Sequence, residues 1–194
     1  VAMFRSYVEK ETAIARSDEG SRRKGWWKDA LKDTVSILSL IPKNSPSDAS
    51  KASSNVTPQE FELKLPAAKV IGVKAQQLGV TPLCIHLSAV ASLIHRYTGL
   101  NQICIGVPHS NRQFFDREDH DGESTFGPAC CVAGTIPVIV TIPGDPMDEN
   151  GLLKSSFADI AKSAFNSLNS SLSNALPLSE IMRSHDNRNR DGLF

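Results

Sequence analysis

Apolar and polar positions alternate with two different periods along this chain, and the changes of period divide it into elements. Phe4, Val8 and Thr12 fall at i, i+4 and i+8. Trp26, Trp27, Ala30, Leu31, Val35 and Leu38 continue an apolar stripe near helical period. The pattern predicts two helical pieces up to about residue 40, interrupted by Gly20 and Gly25 and closed by Pro42. In "QEFELKLP", Phe61, Leu63 and Leu65 alternate with Glu60, Glu62 and Lys64, which predicts a half-buried strand. Pro66 then opens a helix over 67–78, because its missing N–H has no partner at a first helical position anyway, and Gly79 caps it.

Thr81-Pro82 repeats the opening device. Leu83, Leu87, Val90, Leu93, Ile94 and Tyr97 follow as a stripe wide enough to predict a helix buried on more than one side, ended by Gly99. "QICIGVP" reads as an interior strand, and "VAGTIPVIVTI" as a second one. Residues 152–172 form an amphipathic helix with Leu153, Phe157, Ile160, Ala161, Ala164, Phe165 and Leu168 on one face. "LPLSEIMRS" starts a short last helix after Pro177. The order α, β, α, α, β, β, α, α predicts an α/β (α+β) fold with helices flanking a small mixed β-sheet.

Between these elements lie polar segments. Residues 44–57, beginning "NSPSDASKASSN", read as a flexible loop, 109–128 as an acid-rich loop, and 185–194 as a polar tail. The length fits one domain, or one half of a two-lobed one. Helical-looking sequence is already under way at Val1, which points to a piece of a longer polypeptide. Lys plus Arg and Asp plus Glu both total 21, so no net field favours nucleic acid or an anionic membrane. No apolar run approaches the ~20 residues that cross a bilayer. With no signal-peptide order at the N-terminus, the expected location is cytoplasmic.

Chemistry narrows further. Cys84 and Cys104 sit in apolar runs and read as buried hydrophobes, and adjacent Cys130 and Cys131 have the wrong geometry for a bridge. Without C-x-x-C spacing there is no zinc frame, and reduced thiols of an intracellular protein are expected. His86 and His95, nine residues apart, do not share a metal-binding helix face and read as structural. His109 stands at a strand end, where functional groups gather, but no nucleophile or orienting acid adjoins it in sequence. His120 reads as solvated and His185 lies in the tail. The cluster Asp116, Glu118, Asp119, Asp121 and Glu123 lacks the alternating oxygen pattern of a calcium loop and reads as a solvated lid. There is no G-x-S-x-G, no G-x-G-x-x-G and no P-loop. The residues by themselves show a core and no complete active constellation.

"GVTPLCIHLSAVASLIHRYTGLNQICIGVPHSNR", residues 79–112, resembles the "GVTPxxxxxAAxxxxLxRYTGxxDIxIGxPxxNR" pattern of condensation domains from nonribosomal peptide synthetases. "GWWKDALKD" is similar to that family's "YWKxxL" helix, "FGPACCVAGTIPVIV" to its "GxFVNTLPLRV" strand, and "LSNALPLSEIM" to its "HxDxPFEEIV" segment. The resemblance covers most of the chain and implies the C-terminal lobe, spanning 1–194, of a fungal-type domain with a chloramphenicol acetyltransferase-like half-fold. In that family two lobes form a V around a tunnel. Peptidyl carrier proteins bring phosphopantetheine thioesters to its two ends, and an amide bond forms. The catalytic HHxxxDG motif belongs to the N-terminal lobe.

This chain contains no HHxxxDG; "SHDNRNRDG" has the wrong spacing and place. The resemblance therefore implies a lobe that is inactive alone, partnered by an N-terminal lobe or an adjacent adenylation domain. Its tunnel or lobe-junction candidates are Arg112, Asn111, His109, Thr135 and Pro137. Arg112 is expected to pair with the Asp of the catalytic motif or, without that lobe, to be exposed or paired within its own lobe. Gly134 stands in place of the family's Asn, Ile139 in place of an Arg, and Ser173 and Asn174 in place of a His and an acid or Gln. These losses leave two alternatives open: a naturally truncated domain serving as a docking platform, and the lobe of an epimerization or ester-forming relative.

Overall fold

A computed structural model describes residues 2–34, 65–111, 132–142 and 156–184. They form α1 (Ala2–Arg16), α2 (Asp18–Leu31), α3 (Leu65–Leu78), α4 (Pro82–Thr98), β1 (Gln102–His109), β2 (Gly134–Thr141), α5 (Phe157–Ser173) and α6 (Leu178–Ser184). The strand expected over 59–66 lies mostly outside the described residues, and its position 65 is already helical.

Local chemistry sets the boundaries. The break between α1 and α2 falls at Ser17 and not at the glycines. Its hydroxyl donates to the Ile14 carbonyl at 2.7 Å and accepts the Gly20 N–H at 3.1 Å, ending one helix and capping the next. Gly20 is needed inside α2 because a Cβ there would come within 2.3 Å of the Ile14 carbonyl oxygen; Gly25 faces open space. Thr81 caps α4 with Pro82 in its first turn, and Gly99 ends it in the left-handed region at φ 72°. A reciprocal capping box between Ser156 and Asp159 starts α5, and those hydrogen bonds hold the Asp159 carboxyl below its usual range.

β1 and β2 pair antiparallel, from Gln102 opposite Thr141 to His109 opposite Gly134. Ile136, Val138 and Val140 are fully buried on β2, and α5 lies against this strand through Ile160, Ala161, Ala164 and Leu168. α4 packs on α5 and on the hairpin, while α2 packs on α6. The Trp27 indole N–H, buried between α2 and the α5–α6 turn, donates to the Asn174 carbonyl at 2.7 Å.

Two helix faces differ from expectation. On α1 the buried positions are Tyr7 and Ala15, whereas Val8 is exposed. On α4 the inward face consists of Cys84, Leu87, Ser88, Ala91 and His95, and Leu83, Val90, Leu93 and Tyr97 point outward. Apart from Leu87 and His95, this inward face is made of small residues. The Ser88 hydroxyl is tolerated there because it donates back to the Cys84 carbonyl at 2.6 Å. His95 is structural: its Nδ1 lies 2.7 Å from the Leu100 carbonyl, which can only accept, so Nδ1 carries the proton. Phe157, assigned to the inner face of α5, is also exposed.

Trp27→Phe keeps an aromatic ring in place but leaves the buried Asn174 carbonyl without its donor. Chemical denaturation is expected to show a loss of about 1–3 kcal/mol, and a change within ±0.5 kcal/mol would mean that water replaces the indole.

Candidate functional site: the loop end of the hairpin

The final cross-strand pair, His109 opposite Gly134, brings two of the sequence-derived candidates, His109 and Asn111, together on one face of the hairpin. The chain leaves β1 through Asn111, whose φ of 52° lies in the left-handed region that asparagine tolerates better than most side chains. This turn folds the Asn111 carboxamide back so that Nδ2 donates to the Val132 carbonyl at 2.9 Å. The carboxamide thereby fills the space beside Gly134: a Cβ at 134 would sit 2.8 Å from Asn111 Nδ2 and 3.4 Å from His109 Nε2. Glycine at this position and asparagine at 111 are thus coupled choices.

His109 is half-buried, and its Nδ1 is enclosed without a hydrogen-bond partner among the described residues. Burial pushes the imidazole below its ordinary pKa, opposed by the Glu11 carboxylate on α1. Tyr7 fixes that carboxylate by donating its hydroxyl at 2.7 Å. Thr135 is half-buried opposite Pro108, and Pro137 is buried opposite Gly106. Strand alternation puts Thr135 and Pro137 on the same side of β2. Arg112, the acid cluster at 116–123, Cys130 and Cys131 lie outside the described residues. Sequence reasoning missed Glu11 and Tyr7. Their i, i+4 spacing is visible, but nothing in the sequence links that pair to a strand end about one hundred residues away.

The remaining candidates for chemistry are inert or internally satisfied. Cys84 and Cys104 are free and buried, and burial pushes the Cys104 thiol up to about 12, far from a reactive thiolate. Among the described residues no group of three His, Cys, Asp or Glu side chains can hold a metal ion. A cavity of about 250 Å³ between α1, α2 and α6 is lined by Glu11, Arg16, Lys24 and Glu180. Lys24 is committed to the Glu180 carboxylate and the Ala15 carbonyl, each at 2.9 Å. Among the described residues the hairpin end therefore offers positioning groups and no activated nucleophile.

Asn111→Ala is expected to cost about 1 kcal/mol, the net worth of one hydrogen bond. Gly134→Ala should cost a similar amount, because the new methyl displaces the same carboxamide. In a denaturation double-mutant cycle the pair should cost less than the sum, with a coupling of about 0.5–1 kcal/mol; additivity would refute the shared cause. The pH response has a definite sign. With its folded-state pKa depressed, His109 resists protonation that the unfolded chain accepts. Its contribution is fully present above about pH 6.5 and is lost as pH falls below that. His109→Gln should shrink the loss of urea stability between about pH 7.5 and about pH 5.

Against known proteins, the family model described as "Condensation domain" matches residues 1–194. The chain is 29% identical over 159 residues to the hybrid PKS-NRPS synthetase iccA of Talaromyces variabilis, covering 80% of this chain and 3% of that protein. It is 27% identical over 114 residues to bacitracin synthase 1 of Bacillus licheniformis, covering 58% of this chain and 2% of that one. Among solved structures, SgcC5 from Streptomyces globisporus superposes with a TM-score of 0.69 at 15% identity, over 93% of this chain and 36% of that one. The first condensation domain of the CDA synthetase gives 0.61 at 18% identity, over 87% and 32%. The chain thus spans a few per cent of these synthetases and about a third of the solved chains. With the match running from its first residue to its last, the chain belongs to the condensation-domain family and has the mixed α/β, chloramphenicol acetyltransferase-like fold of that family.

Proposed function

We propose that residues 1–194 are the C-terminal lobe of a condensation domain from a nonribosomal peptide synthetase, and that the hairpin end lines its tunnel. The observation that carries this reading is the hairpin end itself. It sets His109, Asn111 and Gly134 side by side, and among the described residues it offers no activated nucleophile. The sequence also lacks HHxxxDG. In a complete domain the acceptor amine attacks the donor thioester, the carbon–sulfur bond breaks, the amide forms, and the amine's surplus proton must be removed. This lobe would supply the wall that aligns the reactants, since alignment alone lowers such a barrier by several kcal/mol.

A phosphopantetheine arm on a peptidyl carrier protein is the expected visitor, rather than a resident cofactor. It is a chain of amides and hydroxyls, and the His109 Nδ1 fits such a group. His109 would hold it on the hairpin face it shares with Gly134 and Asn111, whereas Thr135 and Pro137 lie on the opposite face. The arm supplies the activated acyl group. Arg112 is assigned to the junction with the N-terminal lobe, where it would pair with the Asp of the catalytic motif. An adjacent adenylation domain is a further neighbour in this reading, and the site of action is cytoplasmic. Among the described residues no single helix is long and apolar enough to cross a membrane. A second reading, a non-catalytic docking platform, is favoured by the Asn111 carboxamide, which is spent on Val132 instead of facing a substrate.

The test incubates the chain with aminoacyl-loaded donor and acceptor carrier proteins, alone and with an N-terminal lobe bearing HHxxxDG, and follows dipeptidyl product by mass spectrometry. No product from the chain alone, and product on adding the lobe, are the expected results. Carrier binding with no product in either arm supports the platform, whereas amide formation by the chain alone would falsify both readings.

A further inference from the structure

The cavity of about 250 Å³ between α1, α2 and α6 has one wall whose charges are paired and one whose charges are not. On the paired wall Lys24 and Glu180 meet at 2.9 Å, and Arg183 donates to the same carboxylate. On the α1 wall, Glu11 and Arg16 line the cavity with no ion pair to each other or to another described residue. Five residues apart, they miss the i, i+3 and i, i+4 positions at which helical side chains meet. The rise of a helix separates them by about 7.5 Å along its axis. Tyr7 donates to Oε1 of Glu11 at 2.7 Å, which fixes the carboxylate and leaves Oε2 open. The Thr12 and Ser179 hydroxyls also line the cavity, without a hydrogen-bond partner among the described residues.

The uncommitted groups define the ligand. A simple anion would meet Arg16 but also two carboxylates, and a simple cation would meet Glu11 but also Arg16. A ligand carrying both charges satisfies both residues, through charge-assisted hydrogen bonds in a half-buried setting. The volume, below the roughly 300–1,000 Å³ of pockets for drug-sized molecules, limits it to a small one. We propose that this cavity binds a free α-amino acid, its ammonium on Glu11 and its carboxylate on Arg16. Thr12 and Ser179 complete the polar contacts, and a small side chain rests against Ala15 and Pro177. A carboxylate tied up in a thioester would lose Arg16, so the ligand is the free acid and not a carrier-bound acyl group. The proposal is independent of the tunnel reading, since it uses no residue of the hairpin end.

The full chain is titrated with L-alanine and followed through its amide signals in nitrogen–proton correlation spectra. Saturable shifts at Thr12, Ala15 and Ser179 are expected, with a midpoint of about 1–10 mM. N-acetyl-L-alanine lacks the ammonium and L-alanine methyl ester lacks the carboxylate. Each should bind about tenfold less tightly, the effect of one charge-assisted hydrogen bond. Arg16→Gln should weaken alanine binding about tenfold and leave the methyl ester unaffected. Glu11→Gln, whose amide oxygen still accepts from Tyr7, should do the same to alanine and leave N-acetylalanine unaffected. If a variant does not fold, the two blocked ligands test the same contacts on the unaltered chain. No saturation up to about 100 mM, equal affinity for free and blocked ligands, or indifference to Arg16→Gln overturns the proposal. So does binding of inorganic phosphate in place of alanine, which would assign an anion site.

Discussion

The register of the β1–β2 hairpin is the constraint on which the described structure depends. Ile136, Val138 and Val140 are all fully buried against α5, so a slip of one residue would turn all three outward. At ~25 cal/mol per Å² of apolar surface, exposing three aliphatic side chains costs several kcal/mol, comparable with the whole stability of many domains. The same register determines what meets at the loop end. Only with His109 opposite Gly134 does the Asn111 carboxamide fall into the space that glycine leaves. The candidate site is in this sense a by-product of core burial one strand-length away.

A second, weaker constraint brings the N-terminal helices to that end. Trp27 ties α2 to the α5–α6 turn through the Asn174 carbonyl, and Lys24 reaches Glu180 on α6. The indole bond is buried and therefore costly to lose, whereas the ion pair is partly exposed and contributes little by comparison. Once α2 is anchored, the tight turn at Ser17 and Gly20 determines where α1 lies, and with it Glu11 beside His109. The carboxylate then opposes the desolvation of the imidazole without cancelling it.

Where the sequence was legible, it was so through residues that act locally. Thr81-Pro82, Gly99, Pro177 and the continuous apolar runs of both strands place the ends of α4, the start of α6 and both strands close to where they fall, because caps and turns are decided by the chain within a few positions. The inner face of α5 was readable from Ile160, Ala161, Ala164 and Leu168 for the same reason. What was not legible depends on a neighbour. Gly20 looks like an interruption until the Ile14 carbonyl is seen above it. The phase of α1 is one residue off in the pattern, because Tyr7, with its hydroxyl bound to Glu11, is a better core side chain there than Val8. Of the candidate site, His109, Asn111, Thr135 and Pro137 were identifiable through a family pattern, and Glu11 was not, since it arrives by helix packing.

α4 shows why hydrophobicity alone misassigns a face. Counting apolar residues favours Leu83, Leu87, Val90, Leu93, Ile94 and Tyr97 as the stripe, yet of these only Leu87 is buried, beside Cys84, Ser88 and Ala91. The inner face combines small side chains with Leu87 and packs on α5 and the hairpin. Ser88 can be buried because its hydroxyl donates to the Cys84 carbonyl, and His95 because its Nδ1 meets the Leu100 carbonyl, although its buried Nε2 has no partner among the described residues. Leu83, Val90, Leu93 and Tyr97 are left outside this core.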